Sequence, residues 1–186
     1  MKPLKILVVF AFLAAIGGTA FIWSGAYNVS ATEPHWEITH KVLEVVRERS
    51  VASHSKGITP PPLDDRKLKE IGFREFQEMC VRCHGAPGYQ REAFAMGLYP
   101  GPPDLASGDL LKEMKAAEIF WIVKNGFKMT GMPSFGAWHD DDELWGIVAF
   151  MEGLHRLTPQ EYKGMVETVA EVPEEEEHRH GGHRHE

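Results

Sequence analysis

The stretch QEMCVRCHGAPG, residues 77–88, contains both cysteines of this 186-residue chain. Cys80 and Cys83 stand three positions apart, and His84 follows directly. All the thiols of the chain are thus grouped in one short run, directly before a histidine. The interpretation of this short stretch therefore decides what kind of domain surrounds it.

Several kinds of site use two cysteines at this spacing. A zinc site would need two further ligands, but the histidines downstream are scattered, at positions 139 and 155. A thioredoxin-like redox pair expects a preceding strand and a βαβ fold, and a plain disulfide is common in exported chains. Covalent haem attachment is the recognised meaning of C-x-x-C-H. We favour it, because two thiols at a helix end can reach one edge of a haem while the histidine lies under the iron.

The surrounding sequence predicts an all-α domain over residues 64–157. Apolar residues recur at helical spacing in 64–80, 115–127 and 139–154, and no alternating strand pattern appears. Gly126 is a natural stop for the second helix, and Asp140 to Asp142 supply a cap for the third. The loop from Gly85 to Leu110 is long for so small a domain, which is typical of a chain that wraps around a large group.

A second iron ligand is available in the loop KMTGMPSFG, which offers Met129 and Met132. Methionine is more often a filler of hydrophobic cores than a ligand. In a loop bounded by glycine and proline, however, a long apolar side chain needs a particular reason. Methionine and histidine ligation together raise the potential of a haem for electron transfer.

Four segments, in this order, resemble the class I cytochromes c. They are GFREFQEMCVRCHG at the motif, GPPDL at 101–105, KNGFKMTGMPSFG at the methionines, and DELWGIVAFMEGL near the end of the domain. The resemblance implies a cytochrome c fold around one covalently bound haem c. It further implies a close crossing of the first and last helices at Gly72, against Phe150.

The resemblance also implies the residues that hold the haem. Thioether bonds would form at Cys80 and Cys83, with His84 as the proximal and Met132 as the distal iron ligand. Pro103 would accept the Nδ1–H of the proximal imidazole and so fix its tautomer. Met129 stays an alternative distal ligand that lacks the following proline. The resemblance assigns no catalytic residue, and it implies an electron carrier rather than an enzyme.

The N-terminal part predicts export and a membrane anchor over residues 1–25. The uncharged run of eighteen residues at 6–23 would span about 27 Å as a helix, close to the thickness of a bilayer core. Lys2 and Lys5 before it predict a cytoplasmic N-terminus and a haem domain on the periplasmic side of the inner membrane. Cleavage as a signal peptide is the alternative, since small residues follow the run.

Residues 26–63 predict a juxtamembrane helix and a proline-rich linker. Thr32 is a candidate cap, and Trp36, Val42, Leu43 and Val46 give the helix one apolar face. That face must lie on the membrane, on the following domain or on a partner. With its membrane segment, the stretch resembles the leader of bacterial membrane-anchored monohaem cytochromes c.

The composition of residues 158–186 predicts a disordered tail that is acidic, rich in histidine and without core-forming residues. Its alternating histidines allow weak binding of transition metals. The formal net charge of −7 gives no basic face, so nucleic acid is not an expected partner.

The whole pattern predicts a membrane-tethered monohaem cytochrome that moves single electrons between redox partner proteins at the membrane. The alternatives are a cytochrome subunit of a membrane-bound dehydrogenase or oxidase complex, and a haem enzyme with an exchangeable sixth ligand.

Overall fold

The computed structural model of the chain describes residues 2–170. Within them the chain is helical and forms no strand, so the predicted all-α class is confirmed. The helices are α1 Lys2–Ser24, α2 Glu37–His54, α3 Arg66–Glu75, α4 Val81–His84, α5 Asp109–Glu113, α6 Ala116–Asn125, α7 Asp141–Leu154 and α8 Pro159–Ala170. A π-helical turn, Phe76–Cys80, joins α3 to α4, and two 3-10 turns lie at Ala93–Gly97 and Phe135–Ala137.

The chain divides into two compact units, the first ending at His35 and the second beginning at Trp36. The first unit contains α1, which has a mean hydropathy of 2.4 over Pro3–Ser24 and is long enough to cross a membrane. A signal sequence near the N-terminus passes the same test of length and composition. The helix is therefore consistent with a membrane-spanning segment, but its length and composition do not distinguish a permanent anchor from a cleaved signal peptide.

The predicted juxtamembrane helix exists, but it starts later than its candidate cap suggested. Thr32 lies in a turn, and α2 begins at Glu37, beyond Pro34. Within the second unit, the end of α2 packs on α6: Val51 and Ser55 are buried, and the ring of His54 lies 5.5 Å from that of Trp121 in α6. The C-terminal end of α2 thus belongs to the folded domain, whereas Val42, Leu43 and Val46 stay exposed.

Helices α3 and α7 form the centre of the domain, where they cross at two glycines. A Cβ at Gly72 would overlap the carbonyl group of Gly146, and a Cβ at Gly146 would lie 2.9 Å from the Gly72 nitrogen. The close crossing expected at Gly72 is present, and its opposite member is Gly146. Phe150 lies one turn further on, with its ring 5.3 Å from that of Phe73.

The core around this crossing is built from buried apolar side chains of α3, α6 and α7. Phe120 of α6 stacks on Trp145 of α7, with ring centroids 4.0 Å apart and planes 10° from parallel. Leu144, Ile147, Val148 and Leu154 are fully buried. Burying side chains of this size provides about 1.5–3 kcal/mol each, so α7 is the element on which the rest of the domain is assembled.

The prediction that the disordered tail begins at residue 158 is wrong for residues 158–170. Thr158 caps α8, since its Oγ1 accepts the Glu161 N–H at 3.2 Å and Glu161 Oε2 accepts the Thr158 N–H at 2.7 Å. Tyr162 is fully buried and donates a 2.7 Å hydrogen bond to Gln77 Oε1. The domain therefore extends through α8. The His-rich residues 171–186, with the predicted metal binding, lie outside the described part.

Candidate functional site

The segment at residues 76–84, which we call the attachment segment, continues the line of α3 through the π-helical turn into α4. Phe76 is fully buried, and its ring lies 5.3 Å from that of Phe150 in α7. The apolar core therefore fixes the start of the segment. Cys80 and Cys83 follow, one before and one within α4, so both thiols lie on a rigid helical frame.

The two cysteines are free thiols in different surroundings. Cys80 is buried, and Cys83 is half-buried. Burial raises the pKa of the Cys80 thiol to about 12, with smaller contributions from Cys83 and Glu75. A redox-active pair needs a thiolate, which a partly exposed, electropositive site would favour. The surroundings of Cys80 argue against the thioredoxin-like interpretation.

The imidazole of His84 is held by one specific hydrogen bond. Its Nδ1 lies 2.9 Å from the carbonyl oxygen of Pro103, so Nδ1 carries the proton and donates it. Burial lowers the pKa of His84, more than the Pro103 carbonyl raises it. The neutral tautomer therefore keeps its lone pair on Nε2, which is the atom that an iron-ligating histidine offers.

The chain leaving the motif is tied back onto the attachment segment. The guanidinium of Arg82 donates to both carboxylate oxygens of Glu92, at 2.7 and 3.1 Å, and the Glu92 N–H donates to the Arg82 carbonyl at 2.9 Å. A bidentate pair of this kind adds directional specificity as well as energy. It anchors the start of the long loop that follows His84 and contains Pro103.

The methionines lie on a separate loop at residues 126–139, which we call the methionine loop. Gly126, with φ of 63°, ends α6, and a Cβ there would lie 2.7 Å from the Met132 carbonyl oxygen. The Phe127 N–H donates to that same oxygen at 3.2 Å, and the Thr130 hydroxyl accepts the Met132 N–H at 3.1 Å. The loop is therefore folded tightly against the end of α6.

The two candidate methionines differ in burial. Met132 is half-buried and packs against the hydrophobic cluster that contains Cys80 and Leu105. Met129 is 99% exposed, on a backbone with φ of 59° at the tip of the loop. Met132 therefore contacts the cluster that contains Cys80, whereas the side chain of Met129 points into solvent, and this difference favours Met132 as the candidate ligand.

These residues fit a covalently held haem better than a zinc ion. The structure brings Cys80, Cys83, His84 and Pro103 together, with Met132 against the same core. Among residues 2–170, the His, Cys, Asp and Glu side chains close enough to share a metal ion are Glu75, His139 and Glu143, and neither cysteine is in that group. A c-type haem uses two thiols for its covalent attachment, and it uses one imidazole and one methionine thioether as iron ligands.

The comparison with known families agrees with this donor set. The family described as cytochrome c oxidase, cbb3-type, subunit III matches residues 59–151, which is half of the chain. The chain belongs to this family. No curated protein matches the chain significantly. The matched part is a c-type cytochrome domain, a haem-binding domain of electron transfer. It includes all five predicted site residues and excludes α1, α2 and α8.

Sequence reasoning missed two features near this cytochrome site. Gly146, in the middle of DELWGIVAFMEGL, is the partner of Gly72, and a glycine inside an otherwise strong helix was the available sign. The group of Glu75, His139 and Glu143 was missed as well, because Glu75 is more than sixty positions away from the other two. Only the crossing of α3 and α7 brings them together.

Proposed function

We propose that the chain is a membrane-tethered monohaem cytochrome c that carries single electrons between redox partner proteins on the periplasmic side of the inner membrane. The observation that carries the proposal is the 2.9 Å hydrogen bond from His84 Nδ1 to the Pro103 carbonyl. It leaves Nε2 free as a ligand directly beside two free thiols. A bound haem c would supply one-electron iron chemistry.

Each site residue then has a separate task. Cys80 and Cys83 would hold the haem by thioether bonds, on a helical segment whose start is anchored in the core by Phe76. His84 would be the proximal ligand, oriented by Pro103. Met132 would be the distal ligand, and its soft thioether would favour the reduced iron and raise the potential. The match to a c-type cytochrome domain supports a carrier rather than an enzyme.

A tether would serve such a carrier by keeping it near its partners. A linker between anchor and domain raises the effective concentration at a membrane partner without any new contact. Helix α1 supports a tether by length and composition. The test is the mature N-terminus: the anchor hypothesis expects the full chain in the membrane fraction after an alkaline wash. A chain that starts near residue 25 and washes off would overturn the tether and leave the cytochrome intact.

The carrier itself is tested by a potentiometric titration of the detergent-purified chain. We expect one wave that fits a one-electron couple, one haem per chain, and no binding of carbon monoxide to the ferrous protein, because Met132 occupies the sixth position. Rapid carbon monoxide binding with substrate turnover would instead support the haem enzyme with an exchangeable ligand.

A second candidate function is a fixed cytochrome subunit of a terminal oxidase complex. The family description names an oxidase subunit, and that favours this alternative over a dehydrogenase. Solubilisation in mild detergent separates the two. A carrier elutes as a single chain with its haem, whereas a subunit co-purifies in constant ratio with oxidase polypeptides and is lost when they are deleted.

A further inference from the structure

Three potential metal-binding side chains meet beside the cytochrome site. Glu75 is the last residue of α3, His139 directly precedes the cap of α7, and Glu143 lies in the first turn of α7. One ligand atom from each lies within 4.8 Å of the others. His139 Nδ1 is 3.2 Å from Glu143 Oε2 and 3.5 Å from Glu75 Oε2.

We propose that Glu75, His139 and Glu143 bind one divalent transition-metal ion, with zinc as the best match, in a site separate from the haem. Neighbouring ligand atoms of a tetrahedral zinc ion lie roughly 3.3–3.5 Å apart, given bonds of about 2.0–2.2 Å. The imidazole nitrogen already has that separation from both carboxylates. The two carboxylates, at most 4.8 Å apart, need to approach by about 1.5 Å or less.

Charge and burial favour a cation between these groups. The side chains of Glu75 and His139 are 16% and 18% exposed, and that of Glu143 is 40% exposed. Two carboxylates in such surroundings repel each other, and a divalent ion compensates both charges. Asp140 and Asp142 at the start of α7 add to the negative potential, whereas Asp141 pairs with Lys124.

The ligand set differs from a simple acidic cluster, because an imidazole lies between two carboxylates from different helices. One nitrogen and two carboxylate oxygens are common zinc ligands, and water would complete the coordination. The Asp140 N–H donates to Glu143 Oε2 at 3.0 Å. Such a hydrogen bond holds a ligating carboxylate in one orientation, as outer-shell partners do in metal sites.

The position of the site means that a bound ion would affect the segments that carry the haem-binding residues. Glu75 directly precedes the attachment segment, and His139 ends the methionine loop. A bound ion would therefore join the two segments that carry the cysteines and Met132. The binding itself does not depend on the proposed function; a stiffer methionine loop matters only if Met132 is the distal ligand.

The test is a zinc titration of the full-length, haem-loaded chain by calorimetry at neutral pH. Tail imidazoles would compete, so His178, His180, His183 and His185 are first replaced by glutamine. We expect one zinc ion per chain. His139→Gln and Glu75→Gln should each weaken binding at least about tenfold, and the control His40→Gln, on the exposed part of α2, should leave it unchanged.

A second measurement does not depend on the folding of any variant: X-ray absorption spectroscopy of the zinc-loaded parent protein identifies the ligands of the ion. We expect oxygen and nitrogen ligands with one imidazole and no sulfur. No saturable binding in the tail-substituted protein, equal binding by His139→Gln, or sulfur or several imidazoles at the ion would each overturn the site. None of these results bears on haem attachment, so the proposed function would stand independently.

Discussion

The cytochrome site has two sides that are built by different means. We call the side of His84, the proposed proximal ligand, the proximal side, and the side of Met132, the proposed distal ligand, the distal side. On the proximal side, a continuous helical segment enters from the core, and the imidazole of His84 has a defined side-chain hydrogen bond to Pro103. On the distal side, Met132 lies on an irregular loop that is held by its own backbone, by the Thr130 hydroxyl and by the Ser134 hydroxyl, which donates to the Lys124 carbonyl. The fold places His84, the proposed proximal ligand, whereas local turns place Met132, the proposed distal ligand.

This difference separates two tasks. A haem that must never dissociate needs its covalent anchors on the rigid part of the domain. A distal ligand at Met132 would adjust the potential, and a loop can change without disturbing the core. We therefore expect substitutions on the proximal side to affect whether haem is held, and substitutions on the distal side to affect only its spectrum and potential.

The largest expected effect is the loss of covalent haem from Cys80→Ala/Cys83→Ala. Without either thiol no thioether bond can form, so haem staining of the denatured chain should vanish. Met132→Ala, made in parallel, should retain the stain. If the double variant kept covalent haem, the attachment would lie elsewhere and the comparison between the two sides would fail.

Replacement of Met132 should change the iron without releasing the haem. We expect Met132→Ala to abolish the far-red methionine–iron charge-transfer band of the ferric protein and to lower the midpoint potential. Met129→Ala is the matched control, since Met129 is fully exposed on the same loop. If Met129→Ala removed the band and Met132→Ala did not, the distal assignment would be reversed.

The helix crossing that supports the proximal side should be sensitive to a single methyl group. Gly72→Ala places its Cβ against the Gly146 carbonyl, so we expect at least about 2 kcal/mol of lost stability in denaturant unfolding. Gly164→Ala in α8 is the control. A Cβ there meets nothing within 4 Å, and alanine should stabilise the helix by about 0.5–1 kcal/mol. Equal effects would contradict the crossing.

The smallest expected effect concerns the hydroxyl that holds the methionine loop. Thr130→Val removes the hydrogen bonds of Oγ1 to the Phe127 carbonyl and the Met132 N–H, at a cost of about 1 kcal/mol. The methionine–iron band should then disappear at a lower temperature, with haem content unchanged. Thr130→Ser keeps both bonds and should resemble the parent. A valine variant with parental melting of the band would show that other contacts hold the loop.

Local sequence patterns were sufficient to predict part of the fold and of the site. The all-α class could be predicted, because helical periodicity and the C-x-x-C-H spacing are local patterns. Pro103 was named through a family resemblance, and its carbonyl lies within hydrogen-bond distance of His84 in the structure. Its role toward a haem remains a prediction, as do those of Cys80, Cys83, His84 and Met132.

The features that were missed depend on contacts distant in sequence or on patterns that were overlooked. Helix α8 had a visible signature: Thr158 and Glu161 form a capping box, followed by apolar residues at helical spacing. This signature was overlooked because the acidic residues that follow it are typical of a disordered tail. By contrast, tertiary packing produces the π-helical turn before Cys80 and brings Glu75 close to His139. No local sequence pattern predicts either feature.

The most direct test of the central claim is the mass of the peptide that contains Cys80, Cys83 and His84, released by proteolysis of the chain purified from membranes. We expect this peptide to carry the added mass of one haem, with both cysteines inaccessible to alkylation. A peptide of unmodified mass, with two alkylatable thiols or an internal disulfide, would contradict the account.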